Sequence, residues 1–191
     1  MFTEPEKKYL LAIARRALVD EIFGEEADDM SLPAVVSPQD SSSGALCQHC
    51  GAFVTLFANG ELRGCLGLLK SDLPLTETIA EMARRAATED PRFDPVSKEE
   101  VEGLTIELSV LSPFKQIAGP EEITIGRDGL MIEHGRQRGL LLPQVAEKYE
   151  FSPIEFLEET CVKAGLPRTA WMLEAAHIYS FTAEVIGEEE S

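Results

Sequence analysis

A thiol, a guanidinium and three glycines fall within one strand-like run, Gly60-Glu61-Leu62-Arg63-Gly64-Cys65-Leu66-Gly67-Leu68. A thiolate is a nucleophile, and a neighbouring guanidinium favours it over the neutral thiol at a partly wet site. Residues two apart on a strand share a face, so Arg63, Cys65 and Gly67 are expected on one side of the sheet. Leu62, Gly64, Leu66 and Leu68 then form the core side. Glycine packs no side chain and costs a strand about 0.5–1 kcal/mol relative to alanine. Gly64 and Gly67 are therefore read as ligand-binding positions, where something must approach the backbone closely. The plainer alternative is a buried cysteine acting as a small hydrophobe, with Arg63 reaching a carboxylate elsewhere.

Other chemistry-bearing residues are scattered. Arg92 and His134 are candidate neighbours of the thiol, His134 as a general base beside Glu133, although a histidine at a turn is ordinarily a solvated polar residue. His177, before the last strand, is equally ambiguous. Cys47-Gln48-His49-Cys50 is a lone C-x-x-C with no second pair at zinc-ribbon spacing, so a metal would need Cys65, Cys161 or His134 to complete its site. No metal site is expected. Cys161 reads as core. G-x-S-x-G, phosphate-loop, dinucleotide and H-E-x-x-H patterns do not occur.

The chain that must hold these residues has 191 of them, 44% hydrophobic, with a formal charge of −17. That charge opposes polyanions, and Lys/Arg runs never exceed two, so neither nucleic acid nor an anionic membrane is expected as a partner. A small molecule or another protein fits better. No apolar stretch approaches the roughly 20 residues of a spanning helix, and a signal-peptide core is lacking at the amino terminus, so a cytoplasmic location is expected. Four cysteines there read as free thiols, ligands or redox groups.

Thr3 and Glu6 form a capping-box pattern for a helix over Glu4–Phe23 that Gly24 stops. Residues 25–44 have the composition of a loop-rich connection. Ala52–Phe57, then Asn59-Gly60, then the glycine run predict a tight hairpin that holds Cys65 in a sheet. Asp72 is placed to cap a helix through Leu75, Ile79, Met82, Ala83 and Ala86. The prolines of Asp90–Pro95 exclude regular structure there. Leu104–Val110 alternates as a half-buried strand, and short strands are expected at 123–125, 130–133 and 140–142. A helix from Pro143 follows, then one capped by Ser152 and Glu155 with Ile154, Leu157, Cys161 and Val162 inward. The last strand, 178–186, is expected to turn Tyr179, Phe181, Ala183 and Val185 inward. Together these predict one α+β domain over 1–191, a two-layer sandwich with a largely antiparallel sheet and helices packed on it, with room for a smaller lobe near 115–145.

The run Leu62-Arg63-Gly64-Cys65-Leu66-Gly67 resembles the signature of the AMME critical region protein family, protein A of the AmmeMemoRadiSam system. Phe53–Leu56, Asp90–Phe93, Gly126 with Gly129-Leu130, Leu141–Ala146 and Lys163–Leu166 resemble further family landmarks, in family order. Leu66 stands where isoleucine is usual, and Asp128 where many relatives carry histidine, which weakens any mechanism needing a second base there. Cys47 and Cys50 do not resemble landmarks. The resemblance implies two α+β subdomains and a site around Arg-Gly-Cys, without a settled activity or a known cofactor. It also implies work beside a Memo-like protein and a radical S-adenosylmethionine enzyme. The residues and the resemblance are read together as a cysteine-dependent enzyme or enzyme-like subunit acting on a small molecule or protein. A non-catalytic interaction module is the alternative.

Overall fold

The computed structural model describes residues 2–29, 46 and 49–188. Two compact units divide the chain: Met1–Val110 with Glu184–Ser191, and Leu111–Ala183. Of the connection expected at 25–44, Gly24–Asp29 forms a 3-10 turn and the rest lies outside the described residues, as does Cys47.

In the first unit, helix α1 (Glu4–Phe23) starts on the expected capping box. The Thr3 hydroxyl accepts from the Glu6 N–H, while the Glu6 carboxylate accepts from the Thr3 N–H at 2.8 Å. Strands β1 (Ala52–Ala58) and β2 (Glu61–Leu68) form the hairpin, with Asn59 at φ 52° and Gly60 at φ 78°. Positive φ at both positions is the geometry that Asn-Gly permits and that matches strand twist. Helix α2 (Leu75–Thr88) begins after Pro74. Asp72 does not cap it; the Ser71 hydroxyl accepts from the Leu73 N–H and, at 2.7 Å, from the Thr78 hydroxyl. Strand β3 (Leu104–Leu111) pairs with the other side of β1, giving the order β2-β1-β3 with β2 at the edge. Val54, Leu56, Ile79, Met82, Ala83, Ile106 and Leu108 close the core of this unit together with Leu10, Ala14 and Leu18 of α1.

The hairpin does not keep simple register. Ala58 faces Glu61 and Phe57 faces Leu62, but Leu56 faces Gly64, so Arg63 is left over as a bulge. Beyond the bulge Gly64, Leu66 and Leu68 oppose the inward residues Leu56, Val54 and Ala52, while Cys65 and Gly67 oppose Thr55 and Phe53. Leu62, expected on the core side, is instead 39% exposed, because one inserted residue flips the side-chain parity.

Both glycines are filled from within the chain. A Cβ on Gly64 would lie 2.3 Å from the carbonyl oxygen of Ala86 in α2, and one on Gly67 would lie 2.3 Å from the Phe53 ring. Close approach is the reason for glycine, as the sequence indicates, but at the two ligand-binding positions it is the protein's own helix and ring that approach. Gly64→Ala should push α2 off the hairpin and lower unfolding free energy by about 1–3 kcal/mol in urea melts. A melt that superimposes on wild type would refute that packing.

The second unit carries β4 (Lys115–Ile117), β5 (Asp128–His134), β6 (Gln137–Leu141), α3 (Pro143–Lys148), α4 (Pro153–Lys163) and the greater part of β7 (Ala176–Gly187). Its strands run in the order β4-β7-β5-β6, all antiparallel. Residues 123–125 form no strand, and β4 was not anticipated; only three residues long, it has too few positions to show alternation. The α4 cap is as expected, with Ser152 and Glu155 exchanging bonds. Its buried face is Phe156, Leu157, Thr160 and Cys161, however, and Ile154 and Val162 are half-exposed. In β7 the inward residues are Ile178, Ser180, Phe181 and Ile186, not Tyr179 and Val185. Apolar residues occupy both parities of that strand, so alternation could not choose a face. No helix among the described residues is long and apolar enough to cross a membrane.

Candidate functional site

The edge position of β2 decides the surroundings of Cys65. In an antiparallel ladder, alternate residues turn their backbone groups away from the paired strand. At Cys65 those outward groups meet side chains from the segment after α2. The Cys65 N–H donates to Asp90 Oδ2 at 2.8 Å, and its carbonyl accepts from Arg92 Nη2 at 3.4 Å. Asp90 and Arg92 thus stand in for a neighbouring strand and fix the cysteine backbone. Because the N–H and carbonyl face outward, Cys65 and Thr55 form the closer kind of cross-strand pair, and the Thr55 hydroxyl donates to Sγ at 3.3 Å.

The clamp itself is tightly tied. Arg92 reaches Asp90 through Nε at 2.9 Å and Nη2 at 2.6 Å, and its own N–H donates to Oδ1 at 3.1 Å. Asp90 is buried while the Arg92 guanidinium is half-exposed. The bonds from Arg92, with help from the Cys65 N–H, hold the Asp90 carboxyl well below the usual carboxylate range, against the cost of burial. Arg92 is raised in turn, first by Asp90, and the Cys65 side chain adds to it. Pro91 restricts the turn between these two residues, and the Phe93 N–H returns to the Asp90 carbonyl at 3.1 Å.

Arg63 does not sit beside the sulfur as a free cation. Standing in the bulge, it binds Glu100 through Nε at 2.7 Å and Nη2 at 3.1 Å, and this pair lowers the Glu100 carboxyl to about 2. Both guanidiniums lie over the Phe93 ring, Arg63 at 5.9 Å and Arg92 at 5.5 Å. Each arginine brings its own carboxylate, so the site has no surplus positive charge of the kind a phosphate site requires. Arg63→Ala should therefore change the alkylation rate of Cys65 less than about threefold, whereas a drop of tenfold or more would restore Arg63 as the activating cation.

The remaining expected site residues lie elsewhere. His134 is the last residue of β5, opposite Gln137 and Ala176, and belongs to the second unit, whereas Cys65, Arg63 and Arg92 belong to the first. His177 is exposed beside Gln116. Cys50 is buried in the core of the first unit, and burial pushes its thiol up. Among the described residues no group of three His, Cys, Asp or Glu side chains could hold a metal ion. Cys161 is fully buried, as its helical position indicates. Asp128 is bound by Arg127 at 2.7 Å and by the Thr124 N–H at 2.8 Å, which makes it a staple for a turn.

Sequence reasoning missed Asp90 and Thr55. The Asp-Pro-Arg order around a restricted turn was a usable signal for the first. For Thr55 there was none, because without the bulge it would have faced Gly64.

The elements and the thiol site define an α+β protein with antiparallel strands, helices packed on them, and a cysteine displayed from an edge hairpin. Residues 11–186 match the AMMECR1 family model, and the chain belongs to that family. A protein of Thermococcus kodakarensis is 40% identical over 95% of this chain and 90% of its own length. One of Methanocaldococcus jannaschii is 38% identical over 100% and 94%. Among solved structures, that of an uncharacterized protein from Pyrococcus horikoshii is similar with a TM-score of 0.75, at 39% identity, covering 95% of this chain and 90% of that one.

Proposed function

We propose that this AMMECR1-family protein is a cysteine-dependent enzyme, or an enzyme-like subunit, in which Cys65 is the nucleophile or the thiol that holds the substrate. The observation that carries this reading is the clamp: a half-buried cysteine on an edge strand, its backbone held on both polar groups by an ion pair whose arginine is open to solvent. The bonds satisfy backbone groups that any edge residue presents, and in doing so they fix the position of the side chain between them, as a nucleophile requires. Arg92 supplies positive charge beside the sulfur, and the balanced charges favour a neutral or zwitterionic small molecule, or a protein side chain, over a polyanion. Within the AmmeMemoRadiSam system that substrate would pass between this protein, a Memo-like protein and a radical S-adenosylmethionine enzyme. The test is genetic replacement: Cys65→Ser should fail to restore the deletion phenotype and Cys161→Ser should restore it. Full restoration by Cys65→Ser would end the enzymatic reading.

One observation favours the alternative of a non-catalytic interaction module. In the second unit an open groove of about 370 Å³ is lined by Leu141, Val145, Tyr149, Phe151 and Val162, and Tyr149 is 60% exposed. Apolar exposure of this kind suits a protein partner. Under that reading Val162→Asp abolishes partner pull-down while Cys65→Ser leaves the phenotype intact.

A further inference from the structure

The face of the β2-β1-β3 sheet that carries Cys65 holds a second titratable group which the reading above leaves unused. Thr55 in the middle strand faces Cys65 on one side and Glu107 of β3 on the other. Directly opposed residues project to the same face, so thiol, hydroxyl and carboxyl form one row across three strands. With strands about 4.8 Å apart, the two ends of the row are separated by roughly 10 Å, and the hydroxyl lies between them. The near half is made, since Thr55 Oγ1 lies 3.3 Å from Sγ. At the far end, Glu107 borders a cavity of about 230 Å³ with Phe57, Gly60, Thr105 and Glu188. Among the described residues nothing donates a hydrogen bond to its carboxylate, and partial burial pushes that carboxyl up. Charged neighbours are already paired: Arg92 with Asp90 and Arg63 with Glu100 on the sulfur side, Arg15 with Glu188 on the cavity side.

We propose that Glu107 is a positioning residue for Cys65, a proton store one hydroxyl away from the sulfur, with Thr55 as the link. The transfer balances as a single proton. A proton held on the Glu107 carboxyl passes to Thr55 Oγ1 as the Thr55 hydroxyl hydrogen, already donated toward Sγ, passes to the sulfur or to a group bound there, and the reverse shift returns it. This inference rests on the reading of Cys65 as a working thiol.

The experiment is the rate of Cys65 carbamidomethylation by iodoacetamide in the folded protein, followed by peptide mapping from pH 5 to 9. Two interacting groups give a profile with two inflections, whereas an isolated thiol gives one. An ionised Glu107 opposes a second negative charge on its row, so Glu107→Gln should raise the rate at pH 7 about two- to fourfold and leave a single inflection. Thr55→Val should likewise lose the lower inflection, and Thr55→Ser, which keeps the hydroxyl, should retain it. A merely structural role for Glu107 would not change the number of inflections. If Cys65 reacts readily but the Glu107→Gln and Thr55→Val profiles superimpose on wild type, the row is overturned and the thiol reading stands. If Cys65 reacts no faster than Cys161, both fall.

Discussion

Treated with iodoacetamide while folded at neutral pH, Cys65 should be modified at least about a hundredfold faster than Cys50 or Cys161. Cys65 is a partly exposed residue, whereas Cys50 is 7% and Cys161 0% exposed. Burial pushes both of those thiols up, leaving less of the reactive anion. They must also wait for the structure to open. An opening that costs as little as about 3 kcal/mol already slows labelling more than a hundredfold, and core segments ordinarily need more. Peptide mapping separates the sites and lets Cys47 be scored by itself. Equal, sluggish labelling of Cys65 and Cys161 would place Cys65 among the inert core thiols and remove the chemical reading of the site.

Asp90→Asn should be the most damaging near-isosteric change in the first unit. The amide keeps the shape but loses the charge, so it weakens the bonds from Arg92 and the Cys65 N–H together. Hydrogen bonds to a charged group contribute about 1.5–3 kcal/mol, and a loss of about 2–3 kcal/mol in unfolding free energy is expected. The same change frees the edge of β2 at Cys65, so the advantage of about a hundredfold that Cys65 has in alkylation should shrink even where the protein remains folded. The dependence on acid follows from the carboxyl's position. Its folded-state value lies well below the roughly 3.9 of an unfolded aspartate, so the stabilisation is fully present above about pH 4 and is lost as pH falls further. The wild-type urea midpoint should therefore drop more steeply than that of Asp90→Asn between about pH 4 and 2. Parallel curves would show that the Asp90–Arg92 pair adds nothing to folding.

These two results bear on different links of one chain of causes. Alkylation asks whether the sulfur is available, and the Asp90 variant asks whether its backbone is held. An enzyme needs both, since a nucleophile displaced by about 1 Å loses much of its advantage. A docking module needs neither, and its sensitivity would lie instead at the Tyr149 and Val162 groove.

Local chemistry in the sequence alone determined the ends of α1 and α4, through Thr3 with Glu6 and Ser152 with Glu155, and the Asn59-Gly60 turn. Each of these rests on neighbours within four positions, and the same short range carries the family signature around Cys65. Tertiary structure alone decided the face and company of that cysteine. The bulge at Arg63 is a property of how β1 and β2 pair under α2, with Ala86 pressed onto Gly64, and no local preference encodes it. By slipping the register one residue it brings Thr55 opposite Cys65, turns Leu62 outward and leaves Arg63 to Glu100. The cation that meets Cys65, at its carbonyl, comes instead from Arg92, more than two dozen positions along the chain, because an edge strand leaves its outward N–H and carbonyl to be satisfied by whatever folds against them.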